Sequence, residues 1–172
     1  KQRPQLQVVS VGGDDVGYGV LPAGGQTWRQ QLSQEIAEHM TPAQWARVHF
    51  VGKLAYQDYV SLLRISSLHV YLTYPFVLSW SLLESMAMKV PVIASSTPPV
   101  LEVIKDGLNG HLVDFFDEKA LTQKVVEVLE HPERQVDIRE NARKTIEETY
   151  DLHTRCLPAH IQLVESLGPN AL

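Results

Sequence analysis

Residues 68–94 read LHVYLTYPFVLSWSLLESMAMKVPVIA. Leu68–Thr73 is short, apolar and rich in strand formers, which predicts a strand. Pro75–Ser79 is loop. Trp80–Met88 is an apolar helix carrying Leu82, Leu83, Met86 and Ala87, with Ser79 as its natural N-cap. Val90–Ala94 is again a short apolar strand. Strand, helix and strand in so short a stretch make a βαβ unit, whose strands run parallel. Parallel strands are covered on both faces, which explains why both runs lack polar alternation.

The same rhythm extends outward. Leu6–Val11 (LQVVSV) reads as a buried parallel strand ending at Gly12-Gly13. Trp28, Leu32, Ile36 and Met40 recur every four positions behind Thr27, predicting a helix that Thr41-Pro42 ends. Val48–Val51 is a strand closed by Gly52, and Tyr56–Ile65 is helical. Beyond residue 94, Ser95–Pro99 reads as loop, Val100–Lys105 as a turn of helix and His111–Val113 as a short strand. An amphipathic helix follows Asp117, a further helix starts at Pro132, and a last one covers Leu157–Leu167. The fold class is therefore α/β: a Rossmann-like parallel sheet with helices on both faces. In such sheets ligands sit beyond the carboxyl ends of the strands. The loops 12–26, 52–56 and 74–80 matter most, with 95–99 next.

Composition excludes several classes. The 172 residues are one domain's worth of chain (~100–200 residues). They are 44% hydrophobic and 20% charged, which rules out a disordered tail or a fibre. A net charge of −5 leaves no broad basic field for nucleic acid. Cys156 is the single cysteine and makes no intrachain disulfide, which fits a reducing compartment. No charged-then-apolar leader is legible at the start. His69, Thr73, Pro75 and Ser79 break the most apolar stretch, so no membrane span is expected. The seven histidines show no metal-ligand spacing, His49 and His69 read as core histidines within strands, and Cys156 reads as inert. Asp14-Asp15 is adjacent rather than D-x-D, so no metal site is expected.

Chemistry concentrates at the start of the 80–88 helix. Free amides and the helix dipole there attract phosphate. Glu84 is the one acidic residue among Leu82, Leu83, Met86 and Ala87. An unpaired carboxylate in such company costs several kcal/mol to desolvate. It therefore faces water, pairs with an arginine, or is held by donors such as the two hydroxyls of a ribose. The glycine-rich loop GGDDVGYG (12–19) is not G-x-G-x-x-G and is no dinucleotide fingerprint. Its glycines either admit phosphate to the backbone or only satisfy a turn. Lys53 is either a pocket residue or a solvated charge.

The segments LLESMAMKVPVIAS and PPVLEVIKDGLNGHLVD resemble the C-terminal, donor-binding domain of retaining GT-B glycosyltransferases of family four. The likeness covers nearly the whole chain, including the strand ending VGG, VHFVGK, SSLHVYLTYP, Glu102 and the DGLNGHLV turn. The resemblance implies a nucleoside diphosphate sugar as donor substrate, no cofactor and no metal. Glu84 would bind the donor ribose. The family's earlier glutamate, which touches the sugar, is replaced by Phe76, and its usual glycine three positions on is Ser79. Val77 lies in the same run. The backbone amides of Leu78, Ser79 and Trp80 and the hydroxyl of Ser81 would hold sugar and phosphate. Gly12 and Gly13 would face phosphate, and Gly52, Lys53 and Leu54 would line the nucleobase pocket. Pro98-Pro99 replaces a frequent glycine pair, and Glu102 is read as structural.

The resemblance also implies partners outside this chain. A basic pair on a preceding strand–helix unit would clamp the diphosphate, and an N-terminal domain would bind the acceptor. Residues 1–172 are thus read as one nucleotide-sugar-binding domain lacking both. The catalytic groups would not lie in it, and alone it would be inactive. The parent would be a cytoplasmic hexosyltransferase of glycan biosynthesis, able to sit at a membrane surface. The alternatives are a GT-B nucleotide-sugar epimerase and a non-catalytic Rossmann-like scaffold.

Overall fold

The computed structural model describes residues 3–14, 20–74 and 77–168. The chain divides into two compact units, Lys1–Tyr59 and Val60–Leu172.

In the first unit β1 (Val8–Ser10) pairs in parallel with β2 (Val48–Phe50), Val9 standing opposite His49. Helix α1 (Trp28–Ala37) opens with a capping box: the Thr27 hydroxyl accepts from the Gln30 amide, and the Gln30 side chain accepts from the Thr27 amide. The helix stops before the expected Met40, because residues 39 and 40 tighten into three-residue turns. Thr41-Pro42, expected to end that helix, instead starts another, since α1 has already ended at Ala37. Thr41 and Gln44 form a second capping box over the single turn α2 (Pro42–Trp45), which sequence reading missed.

The expectation of a buried first strand is corrected here. Val8 is 47% exposed, and on the covering helix Ile36 is 50% exposed. Two paired strands, α1 and the single turn α2 bury too little to shield each other's faces. His49 is likewise exposed and is hydrogen-bonded to Gln7 rather than set in a core.

Helix α3 (Tyr56–Ile65) leads into the second unit. There β3 (His69–Tyr71), β4 (Val92–Ser95) and β5 (His111–Val113) form a parallel sheet in the order β3-β4-β5. The parallel α/β class expected from the sequence holds, and among the described residues each unit carries its own parallel sheet. All of β4 is buried, and its alternation builds two cores. Val92 and Ala94 pack with Leu82 and Met86 of α4 (Trp80–Ala87), and with Ala142 of α7. Helix α7 spans Val136–Thr149. Ile93 packs on the other face with Val113 of β5 and with Val128 of α6 (Glu118–Glu130). Helices on both faces are what a parallel sheet needs, and this unit has them.

Two boundaries moved in this unit, while the last helix keeps its expected span, Leu157–Leu167. The short helix α5 runs Pro98–Leu101, not Val100–Lys105, because proline fits the first turn of a helix, where its missing amide is not needed. Pro132 opens a 3₁₀ turn, Pro132–Gln135, before α7. A π turn, Leu152–Cys156, precedes the last helix α8 (Leu157–Leu167).

Candidate functional site

The loop entering α4 is held at both ends. After β3, the buried Ser95 hydroxyl accepts from the Thr73 amide at 3.0 Å and donates to the Thr73 carbonyl at 2.9 Å. Before α4, the Tyr71 hydroxyl accepts from the Ser79 amide at 2.9 Å. Phe76 lies outside the described residues. Val77 is exposed and Leu78 packs against the core.

Ser79 caps the helix as the sequence predicts. Its hydroxyl accepts from the Ser81 amide at 3.3 Å and lies 3.0 Å from the Ser81 hydroxyl. Three of the amides at this helix start are therefore occupied: those of Ser79 and Ser81, and that of Leu82, which donates to the Ser79 carbonyl at 3.2 Å. The amides of Leu78 and Trp80 have no acceptor among the described residues. Sequence reading missed the use of the Ser79 amide, because Tyr71 reaches it from the sheet.

Glu84 sits one turn further along α4. It is half-buried, and its carboxylate makes no hydrogen bond or ion pair among the described residues. The arginine pairing left open by the sequence is not formed. Arg139 and Arg143, on α7, instead donate to the carbonyls of Lys89, just past the end of α4, and of Ala87, its last residue. Oxygens of this kind, next to unsatisfied amides, suit a ligand that brings hydroxyls to one and an anion to the other.

The first unit gathers the other set. The Gly12 amide donates to the Gly52 carbonyl at 2.9 Å, joining the loops that leave β1 and β2. Gly52 has φ +70° and Gly12 has φ +149°, and a Cβ at either would meet nothing within 4 Å. The backbone there is open on its outer side, and conformation rather than crowding calls for glycine. Lys53 is exposed and Leu54 half-buried beside them. Gly12 and Gly13 also line a cavity of ≈ 450 Å³ between α1 and the two strands. At its rim Asp14 pairs with Arg29, whose guanidinium lies 5.3 Å from the centre of the Phe50 ring.

Other candidates resolve simply. Burial holds the His69 imidazole below its usual pKa, and its Nε2 has no partner among the described residues. The expected satisfied core histidine is thus a neutral ring left partly unsatisfied. Cys156 Sγ donates to the Tyr150 carbonyl at 3.4 Å. The described residues hold no group of three or more His, Cys, Asp or Glu that could bind a metal ion. No helix among them is long and apolar enough to cross a membrane.

Residues 1–145 match the model of the family described as glycosyl transferases group 1. The chain belongs to that family. Among curated relatives it is similar to the putative glycosyltransferase EpsD of Bacillus subtilis (strain 168), 26% identical over 143 residues, covering 78% of this chain and 36% of that protein. It is also similar to N-acetyl-alpha-D-glucosaminyl L-malate synthase of Bacillus anthracis, 32% identical over 105 residues, covering 60% of this chain and 27% of the relative. The chain thus spans about a third of the length of the curated relatives it matches. Among solved structures, Anabaena Alr3699/HepE in complex with UDP-glucose superposes with a TM-score of 0.74 at 22% identity, over 96% of this chain and 41% of that one. The C-terminal domain of the group 1 glycosyl transferase LpcC from Francisella tularensis gives 0.63 at 21% identity, over 73% of this chain and 65% of that one. The fold of this chain is that of GT-B glycosyltransferases, parallel sheets flanked by helices in a Rossmann-like arrangement.

Proposed function

We propose that this chain is the donor-binding, C-terminal domain of a retaining GT-B glycosyltransferase of family four. The whole enzyme moves a hexose from a nucleoside diphosphate sugar to a hydroxyl acceptor, without a metal. The observation that carries this reading is Glu84, a half-buried carboxylate four positions after Trp80; neither the carboxylate nor the Trp80 amide has a partner among the described residues. A ribose diol offers two donors to one carboxylate, and a diphosphate offers acceptors to helix-start amides. Family membership supports the reaction class. The solved relative holding UDP and UDP-glucose supports the ligand class.

Within this reading Glu84 fixes the ribose and so orients the sugar for attack. The amides of Leu78 and Trp80 and the Ser79 and Ser81 hydroxyls meet sugar and phosphate, with Val77 beside them. The free amides offset the charge that grows on the leaving diphosphate, together with a basic pair outside this chain. Gly12 and Gly13 face phosphate, and Gly52, Lys53 and Leu54 serve the base. The acceptor is held by a separate N-terminal domain, and the parent works in the cytoplasm, at times against a membrane surface. The chain alone binds donor and transfers nothing.

A thermal-shift series with UDP, GDP and ADP tests the reading. The expected result is a rise of several degrees with one nucleotide, lost in Glu84→Ala. No rise with any of them, or a rise that survives Glu84→Ala, overturns it and favours a scaffold, a role the replacement at Phe76 would suit.

A further inference from the structure

We propose that Trp80 is the stacking platform for the hexose ring of the donor, which makes it a residue that sets sugar specificity. This deepens the donor-site reading above and rests on it.

The three tryptophans of the chain differ in what they do. Trp28 donates its indole N–H to the Val20 carbonyl at 2.9 Å. Trp45 packs its ring on Phe50, with centroids 6.2 Å apart. Trp80 is 81% exposed and has neither a ring partner nor a hydrogen bond among the described residues. The other two serve the fold of the first unit. Trp80 contributes little to the fold, yet it stands beside the site.

Its position gives it a direction. Trp80 is the first residue of α4 and Glu84 is four positions on, so the two share one helix face. Helical side chains lean toward the N-terminus, so the indole reaches past the helix start, away from Glu84. The order of groups in a nucleoside diphosphate sugar is base, ribose, two phosphates, hexose. With the ribose on Glu84 and the phosphates on the helix-start amides, the group that continues in the indole's direction is the hexose. The base departs from the opposite side of the ribose. A hexopyranose has a flat face of C–H groups that suits the electron-rich face of indole. The indole N–H remains available to a sugar hydroxyl.

Calorimetry on the 172-residue chain tests this with matched ligands: UDP against UDP-glucose, GDP against GDP-mannose, and ADP against ADP-glucose. In the pair that binds, Trp80→Ala is expected to weaken the sugar nucleotide about three- to tenfold and to leave the bare nucleotide within about twofold. Trp80→Phe should keep most of the sugar affinity. The melting temperature of both variants should match the parent, because the side chain is exposed. Equal loss for nucleotide and sugar nucleotide overturns the inference, since Trp80 would then serve the nucleotide or the fold. No loss for either also overturns it. If no nucleotide and no sugar nucleotide binds the parent chain, the donor-site reading itself falls, and this inference with it.

Discussion

Arg139 on α7 donates its Nε to the carbonyl of Lys89 at 2.6 Å, and Lys89, two residues past the end of α4, takes the left-handed turn that follows it, φ 58°. One turn along α7, Arg143 reaches the Ala87 carbonyl at 3.0 Å. The Lys89 ammonium meanwhile bridges both oxygens of Glu140 at 2.7 Å. The carbonyls that a helix end leaves unsatisfied are thus met by the neighbouring helix. This fixes the far end of the helix that carries Glu84.

Removing Arg139 tests this clamp. Arg139→Ala is expected to cost about 1 kcal/mol, since a charge-assisted bond is lost but the site is exposed and screened. Urea unfolding should show a lower midpoint at an unchanged slope. An unchanged midpoint would mean that solvent serves the Lys89 carbonyl equally well.

Glu84 should separate function from stability. Its carboxylate supports no other side chain, so Glu84→Gln is expected to change stability by no more than about 0.5 kcal/mol. Nucleotide affinity should fall about tenfold or more, the usual scale for hydrogen bonds to a charged group. Calorimetry and urea unfolding on the same preparation measure both. A large loss of stability would assign Glu84 to the fold instead.

Asn109 is the most connected buried polar residue in the second unit. Its Oδ1 accepts from the Lys105 amide at 2.8 Å, and its Nδ2 donates to the Val103 carbonyl and the Thr145 hydroxyl, both at 3.0 Å. Asn109→Ala is expected to cost about 2–4 kcal/mol, because one buried and two part-buried groups lose their partner together. Thr145→Val should cost clearly less, since it removes only one of those contacts. Equal costs would show that the bonds to Lys105 and Val103 contribute little.

His69 gives a pH dependence with a definite sign. The unfolded chain protonates it near 6.5, while burial holds the folded value lower. Between those values the unfolded state binds more protons. Stability is therefore level above 6.5 and falls as the pH drops through the window below it. His69→Leu should flatten that part of the profile in urea titrations taken from pH 5 to 7. A profile unchanged by the substitution would assign the slope to other groups.

The parts of this fold that could be read from sequence are those decided by near neighbours. Helix α4 was legible because Ser79 caps it and its apolar residues are continuous. Strand β4 was legible because all of it is apolar up to Ser95. Where a residue has two local uses, reading failed. Thr41-Pro42 reads as the stop of α1 but starts α2, and Pro98 both ends a loop and begins α5. The site shows the same limit. Glu84 stands out as a charge among apolar residues. That Tyr71 takes up the Ser79 amide could not be read, because it depends on a strand and a helix start meeting in space. The division into two sheets depends likewise on pairing between distant segments.

The two anchors on the loop before α4 have a consequence for how this chain can diverge. Ser95 holds Thr73 at one end and Tyr71 holds Ser79 at the other, and both anchors come from the buried sheet. The exposed Val77 between them can exchange its side chain without loosening either anchor, while Leu78 stays tied to the core. The mounting of this segment is thus separate from what it presents.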